Sequence, residues 1–322
     1  MTSKLVRRAV TRLLRIDSVR RIEKLRRRNS RLGAMIGAVA LTSVFPPTID
    51  RPVTAVLARG FVRVRRRRVL KASARMTKML GGNIYEWFGE GTEFSRMRCE
   101  VRWARARGAG LRAGTPDFTV QGGDHLHAAH AEGKGVILWR IPFTTPTPLN
   151  ASIQQAGIRM VHLTSEEHML EDRSWLSRRV IGPLNTRDEA RFTDRRVTRS
   201  KSGPGGYLKE LSKELGEGSA VSIVGLSTIG RASVVVDVGR ISLRVPTGAP
   251  SLAFSTGAAL IPCAVVREGP FRWNVVFLAP IKPEAGQNRR EFRVAACHQF
   301  ASEVEALARA ETSSVSLWGR TD

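Results

Sequence analysis

The sequence predicts an α/β fold with parallel strands, and three stretches of it carry that expectation. The first is "FTVQGGDHLHAAHAEGKGVILW", 118–139: a short strand, a Gly turn, a helix from Asp124, and a strand at Gly135–Trp139. Asp124 can cap the free amides of that helix, and Gly133 or Gly135 ends it. The strand is continuously apolar, as strands buried on both faces are. The second is "NASIQQAGIRMVHLTS", which reads as a helix, a Gly stop and a strand at Ile158–Leu163. Together these form a βαβ crossover, so their two strands should run parallel with a right-handed connection. The third, "KSGPGGYLKELSKELGEGSAVSIVGL", repeats the unit, with a helix near Tyr207–Leu215 and a strand at Ala220–Val224.

The remaining elements follow in chain order. Residues 1–31 hold twelve Lys or Arg and two acids, with apolar residues such as Leu5, Leu13, Ile16, Val19 and Ile22 at helical steps. That pattern predicts a basic amphipathic helix suited to a membrane surface or an acidic polymer. A transit peptide shares the pattern, but Asp17 and Glu23 count against one. Residues 32–60 begin with the uncharged run Leu32–Ile49, which Pro46-Pro47 interrupts. It falls short of the roughly 20 apolar residues a spanning helix needs, so it reads as interfacial or membrane-inserted, with a core helix as the alternative. Residues 61–322 make up the α/β domain. Arg63–Leu80 reads as a second basic helix, and Asn83–Gly108 as a helix with Trp87, Phe88, Phe94, Met97 and Val101 inward. Arg173–Arg199 is dense in Arg and reads as surface helix and loop. Val234–Val238 and Ile241–Val245 read as strands, Thr247-Gly248 as a helix start, and "GAALIPCAVVRE" and "FRWNVVFLAPI" as paired strands. Arg290–Arg309 reads as the last helix.

Charge bounds the partners. Lys and Arg number 53 against 28 acids, a net +25, and such a field concentrates polyanions. Nucleic acid, anionic lipid headgroups and an acidic carrier protein all fit. Aromatics are 6%, with no zinc-finger or RNA-binding signature, which makes nucleic acid the minor reading. Cys99, Cys263 and Cys297 are widely spaced and form no CxxC, so they read as structural thiols.

The stretches "GEGSAVSIVGL", "RISLRVPTGAPSLAFSTGAALIPCAVVRE" and "RWNVVFLAPI" resemble the second half of the bacterial lipid A biosynthesis acyltransferases, of the lysophospholipid acyltransferase superfamily. "VQGGDHLHAAHAEGKGVILW", "RRRVLKASARMTKMLGG" and "SSVSLWGR" are similar to further family landmarks. The resemblance covers roughly Val62–Arg320. It implies a mixed, largely parallel central sheet wrapped by helices, of the glycerolipid acyltransferase kind. It also implies a location on the cytoplasmic face of the bacterial inner membrane. The implied reaction moves an acyl chain from acyl carrier protein or a coenzyme A thioester to a hydroxyl of a lipid or glycolipid, with no bound cofactor or metal.

The family signature is a His, four residues, then Asp or Glu, after the strand matching Gly135–Trp139. The His acts as general base and the acid orients it. Counted from Gly135, these positions fall on Pro142 and Thr147, neither of which takes a proton at neutral pH. After "SAVSIVG", where family members often carry a second acidic stretch, this chain has Leu226-Ser227-Thr228. His127–Glu132 and His162–Glu167 share the bare spacing, and the first lies on a helix expected at the surface. His162 is the better placed, at the expected carboxyl edge of the sheet, with Glu167 and His168 following. Arg140, Arg173, Arg178, Arg179 and Arg191 should crowd that edge and hold an anionic headgroup. Arg244, Thr247 and Gly248 offer a helix start to an anion. A non-catalytic, lipid-binding or partner-binding relative is the alternative reading, and a nucleic-acid-binding protein the second.

Overall fold

A computed structural model describes residues 37–38, 40–64, 66–109, 114–165, 182–199, 205–226 and 232–314. After helical residues at 40–44 and a 3-10 turn at Pro47–Ile49, the lead-in helices are α1 (Asp50–Val64), α2 (Arg66–Leu80) and α3 (Glu86–Ala109). The α/β part then runs β1 (Asp117–Gln121), α4 (Gly123–Ala131), β2 (Val136–Ile141), α5 (Thr147–Gln155) and β3 (Met160–Ser165). It continues with α6 (Gly182–Ala190), β4 (Arg195–Arg199), α7 (Gly205–Gly216) and β5 (Ala220–Val224). The hairpin β6 (Ser233–Val238) and β7 (Ile241–Pro246) follows, then α8 (Gly248–Thr256), β8 (Ala259–Gly269), β9 (Arg272–Phe277) and α9 (Arg289–Ala310).

Seven strands form one sheet in the order β1-β9-β8-β2-β5-β3-β4, and β6-β7 stand apart as a two-stranded antiparallel ribbon. Every pairing in the large sheet is parallel except β8 with β9. The mixed, largely parallel sheet expected from the sequence is therefore the sheet observed. β2 lies at its centre between β5 and β8, and Val136–Leu138 are fully buried. β2 and β3 are parallel as the crossover requires, but β5 sits between them. Asp124 does not cap α4: Gly122 is the N-cap, and Asp124 lies in the first turn, where it opposes the positive end of the helix dipole.

Side-chain alternation along β2 divides the two faces. Trp139 stacks on Phe300 of α9 at 4.1 Å between ring centroids, and Phe254 of α8 meets Phe292 of α9 at 5.9 Å. α7, α8 and α9 thus cover one face. Leu138 and Arg140 point to the other, which carries α5 and α6 and is closed over α6 by α3. The expected surface loop at Arg173–Arg199 is instead partly built into the sheet. β4 is an edge strand whose Val197 is buried, while Arg195 reaches Glu214 of α7 and Arg196 reaches Glu189 of α6 on opposite faces.

The lead-in helices are fastened by a buried charge. Arg107 of α3 donates to the carbonyls of Thr42 (2.8 Å) and Phe45 (3.1 Å) and pairs with Asp50, which also accepts from Trp103 Nε1 at 2.7 Å. The boundary expected between residues 60 and 61 falls inside α1. The hairpin presses on the same layer. Gly239 turns with φ +59°, and a Cβ there would lie 2.2 Å from the carbonyl of Met79. Its amide donates to Glu305 of α9 at 2.7 Å, which holds that carboxyl below its ordinary pKa. No helix among the described residues is long and apolar enough to cross a membrane.

Candidate active site

The loop after β2 is held from both ends. Phe143 is buried, Thr144 Oγ1 donates to the carbonyl of Val265 at 2.7 Å, and Pro146 is the N-cap of α5. The first turn of α5 is buried, polar residues included. Thr147 Oγ1 donates to Asp188 Oδ2 of α6 at 2.9 Å and lies 3.2 Å from Thr145 Oγ1. Because Thr147 gives its proton to the carboxylate, Thr145 is the donor of the second bond. One turn on, Asn150 is 1% exposed; its Nδ2 donates to Thr193 Oγ1 at 3.1 Å, and its Oδ1 is buried without a partner.

Asp188 is the carboxyl at the centre of this edge, and it is 3% exposed. Its second oxygen has Arg191 Nη1 at 3.9 Å. Burial pushes the carboxyl above its ordinary pKa of 3.8. Thr147, Arg105 and Arg191 pull it back, and Glu189 adds to the rise. Gly108 of α3 makes the room, since a Cβ there would lie 1.7 Å from Asp188 Oδ1.

Arg140 stands at the carboxyl end of β2, in register with Val224 and Cys263. The residue is half-buried, but its Nη1 is sealed from solvent and has no hydrogen-bond partner. Among the described residues no carboxylate pairs with it; Glu189 and Cys263 act only through space, and burial lowers its pKa. A sealed nitrogen of a charged group left without a partner is costly, and an anionic ligand would relieve that cost. Cys263 is no nucleophile, since burial pushes its thiol up to about 12.

The residues singled out from sequence are distributed as follows. His162 is buried on the Arg140 face, in register with Ser222 and Arg196. It was expected at the end of its strand, but β3 continues to Ser165, so the ring lies within the sheet. Glu167, His168, Arg173, Arg178 and Arg179 lie outside the described residues. Arg191 donates to the carbonyl of Gly114 at 2.9 Å and packs over the Phe192 ring at 4.8 Å. Arg244 is exposed on β7, and Thr247 N-caps α8 through its backbone while its hydroxyl turns to the carbonyl of Ala232 at 3.4 Å. Gly248 opens α8, which packs against α9 on the face opposite Arg140, so the helix start and the Arg140 cluster are not one site. Among the described residues no group of His, Cys, Asp and Glu is placed to hold a metal ion. Asp188 escaped the sequence reading because "TRDEAR" looks like solvated surface. The one clue was its lying in a run of Arg a few dozen residues past an acid position that had become Thr.

Polar groups gathered at the carboxyl end of the central strand are where open α/β sheets bind their ligands. Residues 112–308, well over half of the chain, match the family model described as bacterial lipid A biosynthesis acyltransferase, and the chain belongs to that family. Membership supports acyl transfer as the general function. No curated protein matches the chain.

Proposed function

We propose that this protein transfers a fatty acyl chain from an acyl thioester, on acyl carrier protein or coenzyme A, to a hydroxyl of a lipid or glycolipid. The observation that carries the reading is the sealed, unpartnered Nη1 of Arg140, at the carboxyl end of the central strand β2. Both substrates of such a reaction bring anionic groups, and a planar guanidinium suits phosphate. Arg191, at the rim of the same edge, adds to the field.

The protein works at the cytoplasmic face of the inner membrane, held there by its lead-in layer. Leu41, Val44, Phe45, Val56 and Leu57 are exposed apolar side chains, and Arg51, Arg59, Arg63, Arg66 and Arg67 are exposed around them. Apolar burial and attraction to anionic lipid act together on such a surface, at roughly 1 kcal/mol per basic residue near the leaflet. The expected basic helix at residues 1–31 lies outside the described residues.

The test is incubation of the protein with lauroyl- and palmitoyl-coenzyme A and the matching carrier-protein thioesters, over anionic vesicles containing membrane glycolipid extract. Thiol release together with a new acyl ester is expected; its failure with every donor sinks the reading. A second reading, a non-catalytic lipid-binding relative, is favoured by Pro142 and Thr147 at the dyad positions. It is supported if lipid co-purifies with a protein that never turns over. Tighter, salt-steep binding to duplex DNA than to anionic vesicles would favour the nucleic-acid reading instead.

A further inference from the structure

The family's catalytic loop in this chain has lost both residues of its dyad, yet a carboxyl still stands there, brought in from another element. Asp188 of α6 meets Thr147, the residue at the family's acid position, through a 2.9 Å hydrogen bond. We infer that Asp188 is the general base of this protein, receiving the proton of the acceptor hydroxyl, with Thr147 positioning it. The inference rests on acyl transfer as the proposed function.

Four observations support it. First, the burial has no structural return. An aspartate 3% exposed that, among the described residues, receives one hydrogen bond and has its nearest paired cation at 3.9 Å is poorly compensated. An asparagine would fill the same space and bond Thr147 without a charge to desolvate. Second, the space is built for it, because Gly108 omits the one carbon that would collide with Oδ1. Third, Oδ1 receives no hydrogen bond among the described residues, so this oxygen retains a lone pair for a proton while Oδ2 is held by Thr147. Fourth, the surrounding field tunes the carboxyl. Burial raises its pKa. Arg105 from α3, Arg191 beyond α6 and Thr147 from α5 restrain the rise, and neighbouring Glu189 adds to it. A carboxyl raised by burial is a stronger base than a solvated one once ionised.

The reaction balances without any further participant. The Asp188 carboxylate removes the hydroxyl proton as the acceptor oxygen bonds to the thioester carbonyl carbon. The tetrahedral intermediate collapses by breaking its C–S bond, and the departing thiolate takes the proton back from Asp188. The products are an ester and a free thiol, and the carboxylate is regenerated.

Three proteins decide the matter in the thiol-release assay with palmitoyl-coenzyme A and glycolipid-bearing anionic vesicles: wild type, Asp188→Asn and Thr147→Val. The expected result is that Asp188→Asn lowers kcat by about 10²–10⁴-fold, the usual worth of a general base, while its thermal midpoint is unchanged or higher. Thr147→Val lowers kcat by a smaller factor than Asp188→Asn and moves the rising limb of its pH–rate profile to higher pH, because a bond that lowers the Asp188 pKa is gone. A merely structural role would lower the midpoint of Asp188→Asn and leave the limb of Thr147→Val where it was. An active wild type with an equally active Asp188→Asn overturns this inference and leaves acyl transfer standing. A wild type inactive with every donor overturns both.

Discussion

Two arginines of this protein, Arg107 buried and Arg140 half-buried, meet opposite fates. Arg107 finds two carbonyls within 3.1 Å, a third at 3.4 Å and the carboxylate of Asp50. Both have a sealed nitrogen without a partner, Nε in Arg107 and Nη1 in Arg140, but among the described residues no carboxylate pairs with Arg140. A charge taken out of water is tolerated when it is paired and hydrogen-bonded, and expensive otherwise. Arg107 is therefore explained by the fold, which would come apart locally without it. Arg140 is not explained by the fold, and groups of that kind gather where a protein trades stability for function.

Substitutions can break that contrast. Arg107→Ala strands Asp50 beneath α3 and should destabilise the protein by about 3–5 kcal/mol in urea unfolding. Exchange of amide hydrogens in α1 should accelerate first, since that helix is what the pair fastens. Arg140→Met should do the reverse, raising stability by up to about 1–4 kcal/mol as an uncompensated charge leaves the interior, while the KM for anionic substrate rises. If Arg140→Met unfolds the protein as Arg107→Ala does, the two arginines are alike and the contrast fails.

Gly108→Ala sharpens it. In an open helix the change favours folding by about 1 kcal/mol. Here the added carbon meets Asp188 Oδ1, so a loss of about 1–3 kcal/mol is expected, along with a weaker Thr147–Asp188 bond. The pH dependence gives a further check. The folded pKa of Asp188 lies above its unfolded value near 3.8. The folded state therefore binds a proton the unfolded chain has lost, and stability falls as pH rises through that window. Asp188→Asn should be the more stable protein at neutral pH, and the gain should vanish below the unfolded value. Least costly to the fold is Val56→Asp with Leu57→Asp, expected to alter stability by no more than about 0.5 kcal/mol while weakening sedimentation with anionic vesicles.

Much of the fold could be read from the sequence, because periodicity and turn chemistry are local. β5 occupies Ala220–Val224 as expected, and the hairpin and the start of α8 are where the Gly and Thr signals put them. β4 could not be read. "RRVTR" has one buried residue, and its arginines earn their place through Glu214 and Glu189, on two different helices. The candidate site was harder for the same reason. Arg140 stood out, since a charge ending an apolar strand breaks a visible pattern. Asp188 looked like one more acid in a charged run, and what puts it inside is packing against Gly108, eighty residues earlier, and Thr147. His162 was misjudged by the length of β3, and strand ends are set by partners the sequence does not display.

Arg105, Arg107 and Gly108 lie on less than one turn of the same helix, about 4.5 Å along its axis. The first acts on the Asp188 carboxyl, the last makes room for it, and the middle one grips the apolar lead-in layer. The hold on the lead-in layer and the room left for the carboxyl are therefore set by one and the same stretch of backbone.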